Sequence, residues 1–91
     1  MFVSKLPIRA KKSVALTVGA APVDFDTHSY PCLVTVASGK AYLSGPENAD
    51  PSAADGYPLL PGSQLELCGT FRLLGDAGGT ADVRVLYYDH V

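Results

Sequence analysis

The sequence predicts an all-β fold, a small antiparallel β-sandwich. Three observations predict it. Nine glycines and seven prolines interrupt the 91 residues every few positions. No window keeps apolar residues at helical spacing for more than two turns. Between the interruptions, apolar and polar residues alternate over short runs, the period-two signature of half-buried strands. Apolar residues make up 47% of the chain and charged residues 18%, a globular composition rather than a disordered one.

Each element follows from local patterning. "SVALTV" (Ser13–Val18) places Val14, Leu16 and Val18 on one face. "DFDTH" (Asp24–His28) reads as a strand-entry loop with outward acids. "CLVTVA" (Cys32–Ala37) is apolar and β-branched almost throughout, as a central strand is. "KAYLS" (Lys40–Ser44) follows the turn "SG", which predicts a hairpin. The irregular stretch "SGPENADPSAADGYPLLPG" is too long for an idle hairpin loop. Within it, Pro58 and Pro61 fix φ and remove backbone donors, so Leu59 and Leu60 cannot join a full ladder. This segment is expected to cross from one sheet to the other, with Leu59 or Leu60 plugging the core. "SQLELCGTFRLL" (Ser63–Leu74) then directs Leu65, Leu67, Phe71 and Leu73 to one face, and Gly69 marks a bend or bulge within the strand. "GDAGG" (Gly75–Gly79) is a turn, read as part of a hairpin, and "TADVRVLYY" (Thr80–Tyr88) is the last strand, with Val83, Val85 and Tyr87 inward.

At this length the chain is one domain, and its small core leaves stability marginal. A partner subunit is one way such domains gain stability. The charge is divided: Lys5, Arg9, Lys11 and Lys12 make the first twelve residues +4, while residues 13–91 carry −6. We therefore expect a basic N-terminal arm, residues 1–12, on a sandwich domain spanning residues 13–91. An arm of one sign on a body of the other suits docking onto an acidic surface. Nucleic acid is not the expected partner, because the body is acidic and the arm has one aromatic residue, Phe2. No membrane partner is expected either, since no apolar run nears the roughly 18 residues of a spanning helix. The N-terminus does not read as a signal peptide, which points to the cytoplasm or a particle assembled there.

Candidate chemistry is sparse. His28 and His90 stand apart and read as surface imidazoles. Asp24, Asp26 and His28 form a weak hint of a site. Asn48, Asp50 and Asp55 lack the rhythm of a calcium loop and read as turn residues. "GDAGGT" reads as a turn rather than a phosphate cradle, and no nucleophile motif is found. Cys32 and Cys68 have no CxxC spacing and read as two small packed thiols. No catalytic residue, metal or cofactor is expected. Tyr42, Leu86 and Tyr88 are candidate self-association residues, since tyrosine offers an apolar body with a polar tip. Tyr87 and Tyr88 are adjacent and should face opposite ways, one of them into the core.

Taken together, "AYLSGPENADPSAADGYPLLPGSQLELCG" and "GGTADVRVLYYDH" resemble a pattern of small structural proteins from tailed phages and prophages. A strand ending in a glycine turn leads to an Asn/Asp-rich loop, then "G-x-P-L-x-P-G", an alternating strand, and finally "G-T-A-D-V-R-V". The resemblance runs from about Leu33 to Tyr88, and the basic arm departs from it. It implies a β-sandwich that oligomerises on the virion, often as a head decoration or cement protein. The combined expectation is a non-enzymatic sandwich with jelly-roll-like connections and an extended N-terminal arm. It would self-associate as a homotrimer and act in the virion, assembled in the host cytoplasm. The major capsid protein, or another virion protein, would be its partner. Phe2, Lys5, Leu6, Ile8, Arg9, Lys11 and Lys12 would dock on the capsid or a neighbour. The alternative is a tail, neck or fibre module that binds a receptor or saccharide. A small cupin-type enzyme ranks third, because it would need a metal cluster.

Overall fold

The computed structural model describes residues 7–28, 30–48, 52, 54–76 and 79–90. Within them lie eight strands and no helix: β1 (Ile8–Val18), β2 (Val23–Asp26), β3 (Cys32–Ser38), β4 (Ala41–Ser44), β5 (Tyr57–Leu59), β6 (Gln64–Leu67), β7 (Thr70–Gly75) and β8 (Ala81–His90). They form two antiparallel four-stranded sheets, ordered β1-β8-β3-β6 and β2-β7-β4-β5. The all-β expectation holds.

The pairing is nested. β1 pairs with β8, β2 with β7, β3 with β6 and β4 with β5. The chain is thus a long two-stranded ribbon doubled back between β4 and β5. Two further pairings, β3 with β8 and β4 with β7, wind the ribbon into its sheets.

Alternation builds one core between the layers. In the first sheet, register aligns Val14, Val85, Val34 and Leu65 across all four strands. Such same-face apolar neighbours are the unit of sheet stabilisation. The second sheet contributes Ala41, Leu59, Phe71 and Leu73 to the same cluster. Drawing one core from both sheets makes the arrangement sandwich-like. β3, read as central, lies between β8 and β6.

Three connections differ from expectation. The turns at Gly39 and at Gly75–Gly79 do not close hairpins, since β3 and β8 lie in the first sheet and β4 and β7 in the second. Ser63–Leu74 is not one bent strand either: Cys68 and Gly69 separate β6 from β7, and each enters a different sheet. The reason is steric at Gly39, which has φ +78° and would place a Cβ 2.3 Å from the Thr80 carbonyl oxygen. The chain passes tightly around the start of β8 there, turning a corner instead of reversing. The sequence suggests a loop at β2, because four residues with two acids carry little strand signal; in the fold they form a strand whose Val23 and Phe25 pack against the core. β1 runs back to Ile8, so Ile8–Lys12, read as arm, are paired with Tyr87–His90 of β8.

The long 45–56 connection has a structural task. It joins β4 to β5, and its described residues Asn48 and Gly56 contact the second sheet. A Cβ on Gly56 would sit 2.6 Å from that of Tyr42, so the loop presses directly on Tyr42. Arg72 ties it down, donating from Nη1 to the Asn48 carbonyl at 2.7 Å and pairing through Nε with Asp24 at 3.0 Å. The crossing from β5 to β6 takes the expected route: Leu59 is buried and Leu60 is 55% exposed. Pro58 is accommodated because β5 is an edge strand.

Candidate functional site

The register of β1 and β8 slips between Ala10 and Lys12, which leaves Lys11 as the extra residue of a β-bulge. Successive strand residues normally face opposite ways, and a bulge re-aims them. Lys11 and Lys12 both line one cleft of about 300 Å³, with Thr27, His28, Tyr30 and Tyr87. The bulge therefore supplies two neighbouring ammonium groups to a single concavity.

The opposite wall is the connection between β2 and β3. Thr27 is fully buried and clips this connection to the bend before β7. Its N–H donates to the Gly69 carbonyl at 3.0 Å, and its hydroxyl accepts the Gly69 N–H at 2.7 Å. The Tyr30 N–H closes a turn onto the Thr27 carbonyl at 3.0 Å. Inside that turn His28 has φ +53°, a left-handed conformation uncommon outside glycine. The Asp26 carboxylate holds it, accepting the His28 N–H at 2.8 Å, with Nδ1 3.7 Å from the other oxygen.

Two aromatic rings complete the cleft. Tyr30 is 47% exposed, and the Lys11 ammonium lies 4.3 Å from its ring centroid. Lys11 also pairs with Asp89 at 3.4 Å. Tyr87 stacks on Phe25 at 6.0 Å, and Phe25 contacts Phe71 at 5.1 Å, so this wall is continuous with the core. Burial raises the Tyr87 phenol above its ordinary range, and nearby Cys32 and Asp26 add to the rise. Among the described residues Lys12 has no ion-pair partner. No group of three His, Cys, Asp or Glu side chains stands at metal-binding distance among the described residues.

The expected residues are placed unevenly. Ile8 is half-buried and Arg9, Lys11 and Lys12 are exposed on β1, while Phe2, Lys5 and Leu6 lie outside the described residues. Tyr88 is fully buried and Tyr42 is 9% exposed, so neither offers a free surface for self-association; Leu86 is half-buried. Among the described residues, the exposed large apolar ones are instead Tyr30, Tyr57 and Leu60. Cys32 is buried, Cys68 is exposed, and both thiols are free. Of Asp24, Asp26 and His28, only His28 lines the cleft; Asp26 accepts its N–H, and Asp24 pairs with Arg72 instead. Thr27 and Tyr30 went unmarked, although the polar run before Pro31 was a signal for a structured turn. Comparison of the sequence with protein-family models and with curated proteins returned no match.

Proposed function

We propose that this chain is a phage virion structural protein, a capsid decoration or cement subunit that oligomerises and docks on the shell. The observation that carries this reading is the basic edge strand. β1 is the outer strand of its sheet and presents Arg9, Lys11 and Lys12, contiguous in sequence with Phe2, Lys5 and Leu6. The nested pairing supports jelly-roll connections, because an eight-stranded ribbon of four antiparallel pairs rolls into this strand order. The acidic remainder of the chain keeps neighbouring bodies apart unless basic segments bridge them. The protein would act in the virion after assembly in the host cytoplasm, as a homotrimer bound to the major capsid protein or another virion protein.

Light scattering across a dilution series, at low and high salt, tests the assembly. A trimer that loosens as salt rises is the expected result. Particle co-sedimentation tests the docking, using the full chain and a chain lacking residues 1–7. The shortened chain keeps all of β1 and should stay folded while binding particles more weakly. Equal binding by both chains overturns the role of the terminal segment, and no particle binding by either overturns the virion reading. The tyrosine-lined cleft favours a second reading, a saccharide- or receptor-binding module of a tail, neck or fibre. A glycan array tests it, since a decoration subunit shows no saccharide dependence.

A further inference from the structure

We propose that the cleft between the β1 bulge and the β2–β3 connection is a carboxylate-recognition site, and that its occupant is an acidic segment of a protein partner. The inference deepens the docking reading and rests on it for the source of that segment. The cleft itself stands on four observations.

The bulge brings Lys11 and Lys12 to one concavity, where a regular strand would separate them. The two lysines are differently engaged. Lys11 is positioned by the Tyr30 ring and Asp89, whereas Lys12 has no ion-pair partner among the described residues. One cation is thus held in place and the other is open to an incoming anion. The walls are preorganised: Thr27 is clipped to Gly69 by two backbone-anchored bonds, and Tyr87 is stacked on Phe25. A rigid site loses less freedom when it binds. Finally, His28 is held in an uncommon left-handed conformation at the cleft, a pattern that clusters at ligand clamps.

The chemistry of the occupant follows from charge and size. Residues 13–91 carry −6, so an extended polyanion such as nucleic acid is repelled outside this small basic area. A short acidic segment needs only the cleft. At about 300 Å³ the cleft exceeds a single oxyanion. Its Tyr30 and Tyr87 rings offer apolar surface that an inorganic anion cannot use. The methylenes and backbone of a Glu- or Asp-containing peptide can use it, while the carboxylates meet Lys12 and Lys11.

The test is a titration of the isotope-labelled full chain, read by the amide resonances of Lys11, Lys12, His28 and Tyr30. The probes are end-capped hexaglutamate, inorganic phosphate and sialyllactose, compared at one pH and low salt. Hexaglutamate should shift these resonances saturably, and Lys12→Glu should weaken that binding by about tenfold or more. Lys12 is exposed, so the variant should keep the spectrum of the core, and resonances of β3 and β7 check this. Absent or molecule-wide shifts with hexaglutamate overturn the proposal. Phosphate binding as tight as hexaglutamate overturns the peptide assignment, and saturation by sialyllactose alone transfers the cleft to the saccharide reading. Co-sedimentation separates the two levels. If hexaglutamate fills the cleft but particles ignore the chain, the virion reading fails and the cleft stands. If particles hold the Lys12→Glu chain as well as the parent, docking stands and the cleft is not its site.

Discussion

Cys32 and Cys68 differ in sequence neighbourhood only slightly, yet the fold separates their chemistry. Cys32 faces the core from β3 with no exposed surface, and burial raises its thiol from 9.0 to about 11. The nearby Cys68 thiol adds to that rise, and a hydrogen bond with the Leu67 backbone opposes it. Cys68 lies exposed beyond the end of β6. At pH 8 a thiol reagent should therefore label one cysteine per folded chain and two per chain in urea. Intact-mass analysis reads the difference. Linkage gives the sign of the pH effect. The unfolded thiol loses its proton near 9, whereas the folded one holds it to about 11. The stabilisation is fully present below pH 9 and is lost as pH rises through 11, about 2–3 kcal/mol in all. Tyr87, raised in the same direction, adds to the alkaline loss. Urea midpoints should fall from pH 9 to 11, and Cys32→Ala should flatten that slope while lowering stability below it. A slope unchanged in Cys32→Ala would refute the assignment.

At the scale of elements, most strand positions and the β5–β6 crossing were legible, while β2, the β6–β7 break and the connections after β3 and β7 were not. Val14, Leu16 and Val18 announce β1, and Val83 and Val85 announce β8, because period-two alternation is local. Whether a chain returns beside itself or crosses to the facing sheet is not local. "SG" before "KAYLS" has hairpin chemistry, yet Gly39 turns a corner against Thr80 and Ala81, 41 and 42 positions later in the chain. The same distance hid the cleft. Lys11 and Lys12 were marked for their charge, but the bulge that aligns them is a property of the pairing with β8. The burial of Tyr88 is equally non-local: its N–H donates to the Pro31 carbonyl at 3.4 Å, more than fifty positions earlier in the chain. Gly39→Ala tests the corner. Its added Cβ would meet the Thr80 carbonyl at 2.3 Å and the Ala81 Cα at 2.8 Å, on a backbone that L side chains avoid. We expect a loss of at least about 2 kcal/mol in urea unfolding. A loss below about 0.5 kcal/mol, the level of an ordinary surface change, would show that the corner relaxes freely.

Across the whole molecule, the nesting of strands assigns unequal weight to the two termini. β1 is an edge strand with one neighbour, whereas β8 lies between β1 and β3. Removing residues 1–7 leaves all eight described strands whole. Ending the chain before Ala81 removes Val83 and Val85 from the core and leaves β1 without a partner. The shorter product should lack the dispersed amide spectrum of the full chain, and a native-like spectrum from it would contradict the pairing. Biosynthesis meets the same arrangement in time. The ribosome delivers β1 first and β8 last, and at roughly 5–20 residues per second the first strand waits several seconds for its only neighbour. An unpaired strand is a template for aggregation, and charged side chains along it are the usual protection. Arg9, Lys11 and Lys12 stand on that waiting strand. The basic residues proposed to hold a partner in the finished particle would first act as gatekeepers, keeping newborn copies from one another until β8 arrives.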